Sequence, residues 1–158
     1  MGILTLWGGL LLLGAALLLI GGMTAGERRR VAQCRAYLTL LQRIRGQIAC
    51  YQRPLGEICR TLEPELYTAC GFGVCADSLA VMLDGADLCL PSDAEGILRR
   101  FGAELGQSYK AEQLAACDVA IAELAVICAG EEERLPHRIR LIRTAVVCGA
   151  LALVLIFL

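Results

Sequence analysis

One histidine, His137, and one lysine, Lys110, stand in the whole chain, and its nine cysteines include no C-x-x-C pair. These shortages exclude several chemistries. A zinc site draws on close cysteine pairs and histidines, and the only close pair is Cys70-x4-Cys75. A phosphate-binding loop ends in a lysine followed by Ser or Thr, whereas Lys110 precedes Ala111. A nucleophile elbow needs G-x-S-x-G, and no such run occurs. Glu63 and Glu65 flank Pro64 as solvated loop acids, and His137 sits among arginines as an interfacial residue, not a general base. Aromatic residues make up 5% of the chain and do not interleave with basic ones, which argues against nucleic acid as a partner. The expectation is a protein that is not an enzyme and carries no cofactor or metal.

Apolar surface is present in excess. Hydrophobic residues make up 57% of the 158 positions and the mean hydropathy is +0.61, above an ordinary soluble domain. Residues 3–22 contain no charge, enough for a helix to cross a hydrocarbon core of about 30 Å. Residues 144–158 are also uncharged. This shorter run extends backward through Leu141 and Ile142, because Arg143 can snorkel to the interface. No Lys or Arg precedes the first run, and Met23-Thr24-Ala25 is a poor cleavage site, so an uncleaved anchor is expected. Arg28, Arg29, Arg30 and Arg35 follow the first run, and Arg134, Arg138, Arg140 and Arg143 precede the second. By the positive-inside rule, residues 27–143 are expected to form a cytoplasmic domain between two terminal transmembrane helices.

The odd cysteine count fits reduced thiols better than a secreted disulfide framework. Cys34, Cys117 and Cys128 fall on apolar helix faces, where free cysteine behaves as a small hydrophobe.

Within the central segment the apolar pattern is helical. Val31, Cys34, Leu38, Leu41, Ile44, Ile48 and Tyr51 step by three or four along a helix over 27–52. Pro54 ends it and opens a short helix with Leu55, Ile58, Cys59 and Leu62 inward. Pro64 opens another, which breaks at Gly71-Phe72-Gly73. Residues 75–83 read as helix with Leu79, Met82 and Leu83 inward, closed by Asp84-Gly85. Ser92-x-x-Glu95 reads as a capping box for a helix whose apolar side is Ile97, Leu98, Phe101 and Leu105. Leu114, Cys117, Ile121, Leu124 and Cys128 mark the last helix of the segment. Glu131 to Glu133 read as a solvated face, and Pro136 kinks or restarts the helix. No stretch alternates with a period of two. The predicted fold is all-α, an antiparallel helical bundle.

The stretch 98–113 joins two of these helices. Phe101 and Leu105 share a face, Gly102 leaves room for a neighbouring backbone, and Gly106 sits where a helix ends in the left-handed conformation. Ser108 can cap the next helix. Charge is segregated. Residues 27–53 hold seven arginines against one acid, and residues 54–112 hold four basic residues against ten acids. The basic helix suits membrane headgroups or an acidic partner.

The pattern resembles the stage III sporulation protein AB family. The resemblance rests on Ile48-x-x-Tyr51-x-x-Pro54-Leu55, then Phe101-Gly102-x-x-Leu105-Gly106 with Gln113 seven residues on, framed by the two apolar ends. The chain departs from the family in carrying Ser78-Leu79-Ala80-Val81 where a tryptophan is usual, Tyr109 where an acid is common, and only Gly149 of the usual glycine pairs in the last apolar segment. The resemblance implies a helical domain similar to the cytoplasmic domains of type II secretion and type IV pilus platform proteins, in the mother-cell membrane facing the forespore. It also implies three partners: a secretion-type ATPase, the other membrane proteins of a channel-like complex, and the lipid bilayer. The motif residues Tyr51, Pro54, Leu55, Phe101, Gly102, Leu105, Gly106 and Gln113 are expected to shape and pack the hairpin, with Gln113 bonding across it or facing a partner. A docking surface is sought first at Arg28, Arg29, Arg30, Arg35, Arg43 and Arg45, and on the acidic side at Glu104 and Glu112. Two other readings compete: a two-span adaptor of another secretion or pilus-type system, and a cysteine-rich redox or metal protein of the membrane.

Overall fold

The computed structural model describes residues 2–51, 55–107 and 109–157; the side chains considered exclude those of residues 2–10, 12, 13, 51, 55 and 154–157. Every regular element among the described residues is an α-helix. In chain order they are α1 (Gly2–Tyr51), α2 (Leu55–Arg60), α3 (Pro64–Cys70), α4 (Leu79–Asp84), α5 (Ser92–Glu104) and α6 (Lys110–Phe157). The chain divides into two compact units. One comprises Met1–Arg29 with Glu132–Leu158, and the other comprises Arg30–Glu131.

In the first unit, Glu27 of α1 pairs with Arg138 of α6 at 3.0 Å. Thr24 turns its hydroxyl back onto the Ile20 carbonyl at 2.7 Å, which satisfies it inside an apolar helix. Over Lys110–Leu153, α6 is the one helix among the described residues long and apolar enough to cross a membrane, an 18-residue window within it having a mean hydropathy of 1.7. Half of the side chains of the expected first span, 3–22, lie outside the described residues, although its backbone is helical. Pro136 does not end α6, which runs through it unbroken. The proline removes one donor, and the helix continues for several turns on either side.

The second unit is built on α1 and α6. Contacts fall along α6 as they rise along α1, from Cys34 with Cys128, through Arg45 with Asp118, to the Ala49 carbonyl with Lys110. The two helices therefore run in opposite directions over this stretch. Between them and α2 to α5 lies a core of Tyr37, Leu40, Leu41, Ile44, Leu79, Met82, Leu83, Leu98, Phe101 and Leu124. Of the expected α1 stripe, Val31, Cys34, Leu41, Ile44 and Ile48 are buried and Leu38 is half-buried, and the buried face is wider, since Gln33, Ala36, Tyr37 and Leu40 are buried beside them.

Four local expectations change. Helix α4 begins at Leu79, not near Cys75; Arg60 holds Asp77 through two hydrogen bonds of 2.5 and 2.7 Å, which ties the preceding segment to α2 as loop. The capping box does not form. Pro91, extended at φ −59° and ψ 148°, precedes the first turn, and its carbonyl accepts from the Glu95 N–H at 3.0 Å. Ser92 is thus already helical, and the Glu95 side chain pairs with Arg99 at 2.9 Å. Glu131 is buried, because it follows Leu124 and Cys128 on the inward face of α6. Finally, Cys34 and Cys128 are joined as a disulfide with Cα atoms 5.8 Å apart, so not all nine cysteines are free thiols. Both had been placed on apolar faces, but only the facing of α1 and α6 brings those faces within bonding range.

Candidate functional site

The elbow from α4 to the start of α6 is shaped by two glycines with different tasks. Gly102 packs on the first turn of α4, where an added Cβ would lie 3.3 Å from Leu83 Cδ1 and 3.4 Å from the Ala80 nitrogen. It therefore permits the close approach of two helices that the sequence predicts. Gly106 lies at φ +90° with nothing near its missing Cβ, so its task is conformational. The Leu105 N–H closes the last turn of α5 onto the Phe101 carbonyl at 2.9 Å, and the chain then turns toward α6. Phe101 is buried, while Leu105 and Gln113 are half-buried. The Gln113 N–H bonds the Tyr109 carbonyl at 3.0 Å and opens the first turn of α6. The expected Ser108 cap lies outside the described residues, as do Pro54 and the side chains of Tyr51 and Leu55.

Beside the elbow, α5 and α6 enclose a groove of about 270 Å³. Ile97, Arg100, Phe101 and Glu104 line one wall, and Ala115, Ala116, Val119 and Ala120 line the other. Small residues on α6 leave this space, and Arg100 spans its edge to Glu123 at 2.5 Å.

The basic residues proposed for docking do not form one free patch. Arg43 is engaged with Glu63 at 2.7 Å, and Arg45 with Asp118 of α6. The Arg45 guanidinium holds the Asp118 carboxyl below the usual carboxylate range, chiefly by hydrogen bonding. Arg28 and Arg29 are exposed in the first unit; Arg35 is exposed and Arg30 half-buried in the second. Glu104 and Glu112 are exposed at the end of α5 and the start of α6.

Sequence reasoning missed the polar centre of the second unit. Gln33 is 2% exposed, and its Nε2 donates to the carbonyls of Cys70 at 2.9 Å and Asp87 at 2.8 Å. Its Oε1 accepts from the Cys89 N–H at 2.7 Å. The Tyr37 hydroxyl donates to the same Cys70 carbonyl at 2.9 Å. One amide thus closes the loop ends on either side of α4 onto α1. A glutamine between Val31 and Cys34 in an apolar stripe was the available signal. Burial pushes the Cys70 thiol up to about 12 and the Cys117 thiol up to about 11, which disfavours the reactive thiolate at both.

The family model for stage III sporulation protein AB matches residues 78–158, from the residue before α4 through the elbow to the chain's last residue. That is half of the chain. The chain belongs to the stage III sporulation protein AB family. The match covers Phe101, Gly102, Leu105, Gly106 and Gln113, and begins downstream of Tyr51, Pro54 and Leu55. No curated protein and no solved structure matches. Membership makes this a sporulation-related protein, and the apolar α6 is consistent with membrane association.

Proposed function

We propose that the chain is a membrane-anchored structural platform subunit of a sporulation channel-like complex between mother cell and forespore, and that it docks a secretion-type ATPase. The observation that carries the reading is the family match across the elbow and the apolar end of α6. In this reading residues 3–22 and 144–158 cross the mother-cell membrane, and 27–143 form a cytoplasmic antiparallel bundle. The protein makes and breaks no bonds. It passes ATPase motion through two long helices toward the membrane. A core closed by Gln33 and by close helix packing at Gly102 supports such coupling, because rigid elements transmit displacement without absorbing it.

The test is co-purification of the tagged full chain from gently solubilised membranes of sporulating cells. Recovery of a secretion-type ATPase with other channel proteins is expected. Recovery of the chain without any ATPase overturns the platform reading. Changing Arg28, Arg29 and Arg30 to Glu, or Gly106 to a bulky residue, then maps the dock.

A further inference from the structure

Within the first unit, Glu27 and Arg138 meet at 3.0 Å and fix which levels of α1 and α6 lie side by side. Arg28 is one residue from that contact, and Arg134, Arg140 and Arg143 lie four, two and five residues from it along α6. At about 1.5 Å per residue, the α6 set spans a band of about 14 Å. Residues 27–29 and 134–143 hold six arginines against one acid, Glu27. Glu132 and Glu133 precede the band in α6, and the uncharged residues 144–158 follow it.

Two features set these arginines apart. In the second unit Arg43, Arg45, Arg60, Arg99 and Arg100 each hold a carboxylate. Arg28, Arg134, Arg140 and Arg143 are exposed, and among the described residues their guanidinium groups hold none. They also face different ways. At about 100° per residue, Arg140 and Arg143 stand about 240° and 180° around α6 from Arg134, and Arg28 is on the other helix. A folded partner covers one side of a helix pair. Charges on all sides are met by a layer that surrounds it.

We propose that this band is a collar for anionic phospholipid, its guanidinium groups holding headgroup phosphates where the chain enters the membrane. The collar rests on the anchored reading above and adds the class of lipid selected. Its depth fits a headgroup layer of about 6 Å per leaflet and the Debye length of about 8 Å beyond it, over which an anionic surface attracts basic residues. The residue type fits as well. Of the lysines and arginines all but Lys110 are arginine, whose planar fork matches two phosphate oxygens at once. A zwitterionic headgroup offers the same phosphate, but its ammonium group offsets the attraction. The selected lipid therefore carries a net negative charge.

The experiment uses the full chain reconstituted in phosphatidylcholine vesicles, probed with spin-labelled phosphatidylglycerol or spin-labelled phosphatidylcholine. The motionally restricted fraction of each label gives its relative affinity for the lipid around the protein. About a threefold preference for phosphatidylglycerol is expected in dilute buffer, falling toward unity in about 1 M salt. Restricted lipid without that preference overturns the collar alone. No restricted lipid of either kind shows that the chain does not enter the bilayer, which overturns the anchored reading and the collar together. Arg134→Gln, Arg140→Gln and Arg143→Gln combined are expected to remove at least half of the preference. Arg60→Gln with Arg99→Gln, both outside the band, is expected to keep it. An unchanged preference in the first variant, or an equal loss in the second, overturns the proposal. The vesicles have the same lipid in both leaflets, so the direction of insertion does not affect the result. ATPase recovery from cell membranes is scored separately. Loss of the ATPase from the triple variant with its lipid preference intact makes the band a protein dock and overturns the collar, whereas a wild-type chain that shows the preference and recovers no ATPase counts against the platform reading alone.

Discussion

Gln33 and Cys70, 37 residues apart in the chain, are joined by a buried hydrogen bond of 2.9 Å from the Gln33 amide to the Cys70 carbonyl. The same side chain serves Asp87 and Cys89, so three backbone groups depend on it. Removing it deletes the bonds to the Asp87 carbonyl and the Cys89 N–H, while the Cys70 carbonyl keeps the Tyr37 hydroxyl, at about 1–3 kcal/mol for each buried group left short of a bond. Gln33→Ala is expected to lower the unfolding free energy of the full chain in detergent by about 3 kcal/mol. Gln33→Glu should not rescue it, because the two donated bonds are still lost. Denaturant titrations of the two variants check this, and a wild-type midpoint for either contradicts the role.

The two elbow glycines should respond differently to substitution. Gly102→Val forces branched carbons against Leu83 and the Ala80 backbone and should cost about 1–3 kcal/mol through overpacking. Gly106→Ala meets no neighbour and should cost only about 1 kcal/mol, from the left-handed backbone. Gly106→Asn should recover part of that, since asparagine tolerates this conformation. Thermal melts of the three variants decide it, and equal losses at both sites would contradict the division of labour.

The Cys34–Cys128 bond closes a loop with a sequence separation of 94. Unfolding the chain without reductant should expose seven titratable thiols, and unfolding it with reductant should expose two more. Cys34→Ser is expected to destabilise the unreduced protein by about 2–4 kcal/mol and to have a smaller effect once the wild type is reduced. Nine thiols without reductant would show that the pair is not bonded in the cell from which the protein was taken.

Asp118 supplies a small pH dependence whose sign is set by Arg45. Its carboxyl is held below the ordinary range in the folded chain, so the stabilisation is present above the unfolded value and is lost as pH falls through the lower folded one. Melts of wild type and Asp118→Asn should therefore differ slightly above about pH 4 and converge as pH falls below it through the lowered folded value. The difference should shrink in high salt, because the pair is exposed. A gap that widens on acidification contradicts the assignment.

Most of the helical faces were legible in the sequence. Leu79, Met82 and Leu83, the Ile97-Leu98-Phe101-Leu105 side of α5 and the Leu114-to-Cys128 stripe of α6 lie where their spacing puts them. Helical periodicity is local, and each residue's face follows from its neighbours three and four positions away. The Gly106 break was legible for the same reason, since a left-handed residue at a helix end is a short-range demand. By itself the sequence also determined an apolar content that one soluble core could not absorb. The tertiary structure alone decided which faces meet. It paired Cys34 with Cys128, engaged Arg43 and Arg45 with Glu63 and Asp118, and made Gln33 the buried link between segments. Each of these joins residues far apart in the chain, and their meeting depends on where α2 to α5 place the intervening backbone. A polar residue in an apolar stripe announces that it needs a partner; only the assembled fold supplies one.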